Sequence, residues 1–397
     1  MTDIALAQRV ASLAPSPTMT LDAKTKALIG QGLDIVNLTA GEPDFDTPEF
    51  IRQAAEEAMN RGETRYTPVG GTARLKKAVI ERLKTDTGLS YGAEEVLVSA
   101  GAKHSLYNAV LALTNPGDGV LLPVPYWVTY PEQIRLAGGE VQLVTIAAEH
   151  RGELTAEDLE RAVRPNTRGL ILNSPSNPSG AVVGRAHLES IAQFALQHHL
   201  WIISDEIYSR LIYDGVEALS IAALPDMRDR TLVINGVSKA YAMTGWRIGY
   251  TAGPQAIIAA MANLQSQSTS NPSSISQAAA QAALEGPQEP VEEMRREFDR
   301  RRRYAVSRVQ SMPGLTVNEP KGAFYLWVNA AGVMGRTIRG RNVTNADDLA
   351  LVWLEEGRVS VVPGSGFGVD DHFRLSYATS MDRLAEGLDR MEQLLEE

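Results

Sequence analysis

A lysine just past a run of apolar residues is the strongest chemical signal in this sequence. It lies in Ser238-Lys239-Ala240-Tyr241-Ala242-Met243-Thr244-Gly245-Trp246-Arg247, directly after the β-type run Thr231 to Ile234. Such a position falls at the mouth of an α/β sheet, where ligands usually bind. Its amine can form an imine with an aldehyde, provided it is unprotonated often enough. Ser238 and Arg247 suit a phosphate, one as a hydroxyl donor and the other as a planar fork of charged donors. The plainer alternative is a surface lysine and an arginine paired with some carboxylate.

Further segments carry side chains that suit a planar, phosphorylated cofactor. Ser204-Asp205-Glu206-Ile207-Tyr208 closes the apolar run Leu200 to Ser204. A carboxylate there can keep a heteroaromatic ring nitrogen protonated, which makes the ring an electron sink, as a pyridoxal cofactor requires. Tyr208 can donate to the cofactor's phenolate oxygen. Alone, the Asp-Glu pair would equally suit Mg²⁺ or a helix cap. Asn173-Ser174-Pro175-Ser176-Asn177-Pro178-Ser179-Gly180 is by itself a turn cluster; its functional reading puts the Asn177 amide on the phenolate oxygen. Ser99-Ala100-Gly101-Ala102-Lys103-His104 joins a strand to a helix, whose N-terminus offers free backbone N–H groups to a phosphate. Trp127 can stack on a planar ring or simply pack in the core. In Phe373-Arg374-Leu375-Ser376 an arginine sits between apolar strand residues, and burying an unpaired charge is costly. Bidentate binding of a substrate α-carboxylate would account for it; an internal salt bridge is the competing account.

The elements that must position these residues alternate. Phe50 to Asn60, Ala73 to Lys84, Lys103 to Leu113 and Ala186 to His198 carry helical spacing. Val96 to Ser99, Gly119 to Leu122, Glu140 to Val144, Gly169 to Leu172, Leu200 to Ser204 and Thr231 to Ile234 are short apolar runs. Buried strands alternating with helices imply an α/β layer around a mostly parallel sheet. After about Gly286 the chain runs through a charged helix, Val291 to Arg308, then Phe324 to Val328, Ala346 to Glu356 and Phe373 to Ser376. The expected division is a large unit over 48–285 and a small α+β unit built from 1–47 and 286–397. The charge run Arg300 to Arg303 reads most simply as the solvated face of a helix.

At 397 residues the chain is long enough for two domains. Its 44% hydrophobic and 22% charged residues are ordinary globular usage. A net charge of −10 argues against a broad nucleic-acid or anionic-membrane surface. With no cysteine, disulfides, thiolate nucleophiles and cysteine metal sites are excluded. Met1 to Arg9 has no signal-peptide core, and no stretch is apolar enough to span a bilayer, so a cytoplasmic enzyme is expected.

Taken together, Gly41-Glu42-Pro43-Asp44-Phe45, the Asn177-Pro178 turn, Asp205 with Tyr208, the Lys239 to Arg247 segment and Arg374 resemble, in order and spacing, the class I aminotransferases of pyridoxal-phosphate fold type I. The likeness runs from about residue 10 to the C-terminus. It implies pyridoxal 5'-phosphate as cofactor, with Lys239 as the residue that holds it and shuttles the proton at the substrate Cα. It implies Asp205 on the ring nitrogen, Tyr208 and Asn177 on the phenolate oxygen, and Trp127 stacked on the ring. Ser238, Arg247 and the Ala102 and Lys103 amides would form the phosphate cup. Tyr66 would reach the phosphate from a neighbouring subunit, which implies a homodimer with shared active sites. Gly41 would approach the substrate through its backbone, and Arg374 would hold the α-carboxylate. Gly236 stands where relatives often carry Ser or Ala, so one phosphate donor is absent there.

The best-known aspartate aminotransferases take the distal carboxylate on an arginine of the neighbouring subunit, but Gln265-Ser266-Gln267-Ser268-Thr269-Ser270-Asn271-Pro272 has none. The chain instead resembles subgroup Ib, which uses a lysine and a threonine, at Lys103 and Thr18. That likeness implies transfer from L-aspartate to 2-oxoglutarate, and also transfer from glutamate or aspartate to prephenate, giving arogenate. Small amino acids and 2-oxo acids are the expected partners, with no nucleic acid and no membrane. The alternatives are a broad aromatic/2-oxo acid aminotransferase, a carbon–sulfur lyase of the same superfamily, or a non-enzymatic aminotransferase-like regulatory domain. No HExxH or P-loop is present, no metal is expected, and His198-His199 reads as a helix-end pair.

Overall fold

The computed structural model describes residues 5–11, 13, 17–147, 150 and 152–396, without the side chains of 17–22. Each apolar run becomes a strand of one sheet. In chain order the strands are β1 (Val96–Ser99), β2 (Gly119–Val124), β3 (Glu140–Thr145), β4 (Thr167–Asn173), β5 (Trp201–Asp205), β6 (Thr231–Gly236) and β7 (Gly249–Ala252). They lie side by side as β1-β7-β6-β5-β4-β2-β3. The neighbours from β6 to β3 run parallel, while β7 is antiparallel to both β1 and β6. The fold is therefore α/β with a mostly parallel sheet. β7 has no counterpart among the runs read from the sequence, because Gly249-Tyr250-Thr251-Ala252 carries neither an aliphatic run nor a clear alternation.

Side chains leave a strand on alternate faces, and the sheet uses both. Val96, Val98 and Val233 pack with Leu75, Val79 and Ala280 of flanking helices, whereas Leu97, Leu232 and Ile234 pack with Leu106, Val110 and Ile258 on the other side. Each such aliphatic side chain contributes about 1.5–3 kcal/mol when fully buried. Helix Ala73–Thr87 illustrates the local coding. The Thr72 hydroxyl accepts the Leu75 N–H at 3.3 Å, and Gly88 ends the helix in the left-handed conformation at φ 74.

A second, antiparallel sheet places Val362–Pro363, His372–Ser376, Tyr325–Asn329 and Thr316–Val317 side by side. Val36–Asn37 pairs in parallel with Val359–Ser360, and Ile35, Val36 and Leu38 share one apolar cluster with Phe324, Phe373 and Leu388. The stretch from Ala346 to Glu356 is α-helical over Ala346–Val352 and widens to a π-turn over Trp353–Gly357.

Helix Glu289–Ser311 corrects the reading of its arginine run. Arg300 and Arg303 are exposed, but Arg301 and Arg302 are buried. Arg302 bonds Asp214 at 2.8 Å, Asp299 at 2.7 Å and the Pro320 carbonyl at 2.9 Å. Arg301 bonds Asp44 at 2.7 Å and lies over the Phe45 ring. Four consecutive helix positions sweep all round the helix, so they cannot share one solvated face.

Candidate active site

The carboxyl ends of β4, β5 and β6 align, with Asn173 opposite Asp205 and Asp205 opposite Ile234. A cavity of about 410 Å³ opens at this edge. Gly41, Ala102, Lys103, Trp127, Asn177, Asp205, Tyr208, Ser238, Lys239, Arg247 and Arg374 all line it.

Lys239 leaves the sheet three residues past Gly236 and directs its ammonium at the Gly41 carbonyl. Burial, reinforced by the nearby Arg374 cation, pulls its pKa down to about 8. A substantial fraction of the amine is then neutral near pH 7–8, as a nucleophile or proton carrier requires. Asp205 is buried; burial pushes its carboxyl up to about 6. The Tyr130 hydroxyl, donating to Oδ2 at 2.7 Å, and the Ile207 N–H, 3.2 Å from Oδ1, oppose that rise. Glu206 lies outside this cavity and instead lines a hollow with Ser209 and Arg210. Its carboxylate accepts the Ser204 and Ser220 hydroxyls at 2.8 and 2.6 Å. The adjacent carboxylates therefore do not converge as a Mg²⁺ site would require.

Arg374 is 8% exposed and finds no carboxylate among the described residues. One guanidinium nitrogen donates to Asn177 Oδ1 at 2.9 Å and another to the Thr39 carbonyl at 2.9 Å, while Nε is buried without a partner. The internal salt bridge weighed from the sequence is thus not formed. A buried cation supported only by neutral oxygens is suited to an incoming anion. Its guanidinium also lies 4.4 Å from the Tyr325 ring centre. With Oδ1 engaged by Arg374, the Asn177 amide nitrogen is left to donate. The Asn177 backbone N–H is tied to Asn173 Oδ1 at 2.8 Å, and Asn173 is tied to the Asp205 carbonyl at 2.9 Å. The Tyr208 and Tyr325 hydroxyls lie 2.9 Å apart.

The other end of the cavity is an anion cradle made of close backbone approaches. Gly101 has φ 90, and a Cβ there would fall 2.3 Å from an Arg247 guanidinium nitrogen. At Gly249 a Cβ would fall 2.2 Å from the Ala102 nitrogen. Both positions need glycine so that Arg247 and β7 can close on the first N–H groups of helix Ala102–Leu113. Arg247 is itself left-handed at φ 56 and bonds the Thr244 carbonyl at 2.8 Å. Gly236 has a steric reason as well: a Cβ would meet Gly249 Cα at 2.9 Å. The Lys103 ammonium lies 4.8 Å from the Trp127 ring centre, its pKa lowered by burial and then by Arg247.

One expected site residue lies outside this cavity, and for another the side chain is not described. Tyr66 is 90% exposed, in a separate hollow with Arg65, Ser270 and Pro272. Thr18 lies in helix Pro17–Gly30, and its side chain falls outside the described residues. Conversely, Tyr130, Tyr325, Glu42 and Thr244 line the cavity without having been singled out as site residues. Tyr325 and Tyr130 sit in elements whose hydrophobic patterning explains a tyrosine equally well. Glu42 belongs to the Gly41 to Phe45 motif and Thr244 to the Lys239 to Arg247 segment, and the Thr244 hydroxyl donates to Glu42 Oε2 at 2.7 Å.

The donor set fits pyridoxal phosphate group by group. It offers an amine of lowered pKa for an aldehyde, a buried carboxylate for a ring nitrogen, amide and phenol donors for a phenolate, and a glycine-lined helix terminus with a guanidinium for a phosphate.

The chain is similar to known proteins over nearly its whole length. The family model for aminotransferase class I and II matches residues 33–391. The chain is 48% identical over 396 residues to an aspartate aminotransferase of Geobacillus stearothermophilus, covering 98% of this chain and 99% of that protein. It is 45% identical over 390 residues to an aspartate/prephenate aminotransferase of Cereibacter sphaeroides, covering 98% of each. The crystal structure of the aspartate aminotransferase from Rhizobium meliloti superposes with a TM-score of 0.96 at 44% identity, covering 99% of both chains.

Proposed function

The chain belongs to the class I and II aminotransferases, and from that premise we propose that it binds pyridoxal 5'-phosphate and moves the amino group of L-aspartate to 2-oxoglutarate, and that of glutamate or aspartate to prephenate. When bound, the cofactor supplies an aldehyde and a ring that draws negative charge from the substrate Cα. Lys239 holds the cofactor and then carries the proton to and from Cα. Asp205, ionised above about pH 6, keeps the proton on the ring nitrogen. Asn177 and Tyr208 donate to the phenolate oxygen, and Trp127 covers the ring. Ser238, Arg247 and the Ala102 and Lys103 amides hold the phosphate. Arg374 takes the α-carboxylate and Gly41 approaches the substrate through its backbone, while Lys103 and Thr18 take the distal carboxylate.

The observation that carries this reading is the convergence of Lys239, Asp205 and Arg374 on one cavity, with the Arg374 Nε left without a protein partner. An acidic substrate side chain is favoured by Lys103 on the cavity wall, against the alternative of a broad aromatic aminotransferase. We further propose a homodimer in which Tyr66 serves the partner's phosphate site, a large unit over 48–285 with a small one from 1–47 and 286–397, and a cytoplasmic location. No described helix is long and apolar enough to cross a membrane.

The test is the visible spectrum of the purified protein with pyridoxal phosphate, before and after L-aspartate. A band that changes with aspartate and is restored by 2-oxoglutarate or prephenate supports the assignment. A band indifferent to aspartate would remove the substrate, and no band at all would remove the cofactor.

A further inference from the structure

One side chain outside the cavity ties together the elements that form the phosphate cradle. Gln265 lies in helix Gln255–Ser268 and is fully buried. Its Oε1 accepts the Ser99 hydroxyl at 2.7 Å and the Asn108 amide at 3.1 Å. Its Nε2 donates to the Val98 carbonyl at 2.9 Å and the Val69 carbonyl at 2.8 Å. An amide has two donor hydrogens and two acceptor sites, so this one is fully used.

The partners are informative. Val98 and Ser99 end β1, and the chain then turns through Gly101 into the helix whose first residues are Ala102 and Lys103. Asn108 lies one and a half turns further along that same helix. Gln265 thus grips the turn on its strand side and its helix side at once. Val69 belongs to the segment before Thr72, whose Gly70 carbonyl also accepts the Val98 N–H at 3.0 Å. A buried amide with all its donor and acceptor positions filled holds its geometry narrowly, because any displacement strands a polar group away from water.

We infer that Gln265 is a positioning residue for the anion-binding turn: through Ser99, Val98 and Asn108 it sets where the Ala102 amide and the Lys103 side chain stand in the cavity. This rests on the proposed cofactor site. It predicts that loosening Gln265 weakens phosphate-end binding and Lys103-dependent recognition together, while leaving residues on the β5 side unaffected.

The experiment compares Gln265→Glu, the milder Ser99→Ala, and Gln142→Glu as a control. Gln142 is also buried and bonded through its amide, to Asn166 at 2.9 Å, but it lies on β3, away from the turn. For each variant the pyridoxal phosphate dissociation constant, the aspartate-to-alanine ratio of kcat/KM and the melting temperature are measured. The expected result for Gln265→Glu is a dissociation constant raised on the order of tenfold, equivalent to about 1.4 kcal/mol, with a reduced preference for aspartate. Ser99→Ala shifts both in the same direction, and Gln142→Glu lowers only the melting temperature. A Gln265→Glu protein that melts earlier but keeps wild-type affinity and preference would overturn the inference. Should that variant not fold, wild-type values in Ser99→Ala overturn it instead. A wild-type protein that binds no pyridoxal phosphate would defeat the proposed function itself, an outcome visible before any variant is made.

Discussion

At the residue scale the chemistry depends on ionisable groups held away from their usual pKa values. Lys239 is pulled down to about 8 by burial first and Arg374 second. Its neutral fraction therefore grows as pH rises through that value, and attachment of pyridoxal phosphate to the apoenzyme should accelerate up to about pH 8 and then level off, followed by stopped-flow absorbance. Asp205 is shifted the opposite way, up to about 6, and the Tyr130 hydrogen bond restrains the shift. Tyr130→Phe removes that restraint, so the carboxyl pKa rises further and the acid limb of the kcat/KM profile should move to higher pH. An unmoved limb would show that Asp205 does not set it. Charged hydrogen bonds contribute about 1.5–3 kcal/mol. Lys103→Ala should therefore weaken aspartate by that amount and spare alanine, whereas Arg374→Ala should weaken both. Equal losses for the two substrates in Lys103→Ala would assign Lys103 to the cofactor alone.

At the element scale, helix Glu289–Ser311 carries a charged run with two different fates. Breaking a buried ion pair by removing one partner costs about 3–5 kcal/mol, because the remaining charges are stranded. Arg302→Ala leaves Asp214 to Lys321 and Arg303, and Asp299 to Arg303, so it should lower unfolding stability by less than that, on the order of 1–3 kcal/mol for the charged hydrogen bonds lost, in urea titration. Arg300→Ala, on the exposed side and bonded to its helix neighbour Glu297, should be indistinguishable from wild type. A similar midpoint for both would show that the buried network contributes nothing net. The strand-to-helix joint at Gly101 is the other decisive element, since its left-handed φ of 90 lets Arg247 lie against the backbone at the helix N-terminus.

At the scale of the whole molecule, Tyr66 is 90% exposed and outside this chain's own cavity, as the proposed role in a partner's site requires. Mixing Lys239→Ala and Tyr66→Ala subunits should therefore restore one complete site per hybrid dimer. Aspartate transamination should recover above both parents after reassembly. No recovery would mean that Tyr66 does not act across subunits.

The sequence alone carried the local information. Strand runs such as Val96 to Ser99 and Thr231 to Ile234 were legible because period and burial depend on nearby residues; Lys239 and Asp205 stood out as charged residues at or just past the end of an apolar run, and Arg374 as a charge inside one. Three-dimensional packing decided what depends on distant neighbours. It set β7, which has no aliphatic run of its own, and it set which arginines of 300–303 are buried, since helix rotation meets Asp214 and Asp44 only in the folded chain. It also decided whether Arg374 meets a carboxylate, and it paired Tyr130 with Asp205 across 75 residues. Residue type and local spacing limit what a side chain can do; the partner that desolvates it or bonds it comes from elsewhere in the chain, and only tertiary packing brings that partner to hydrogen-bonding distance.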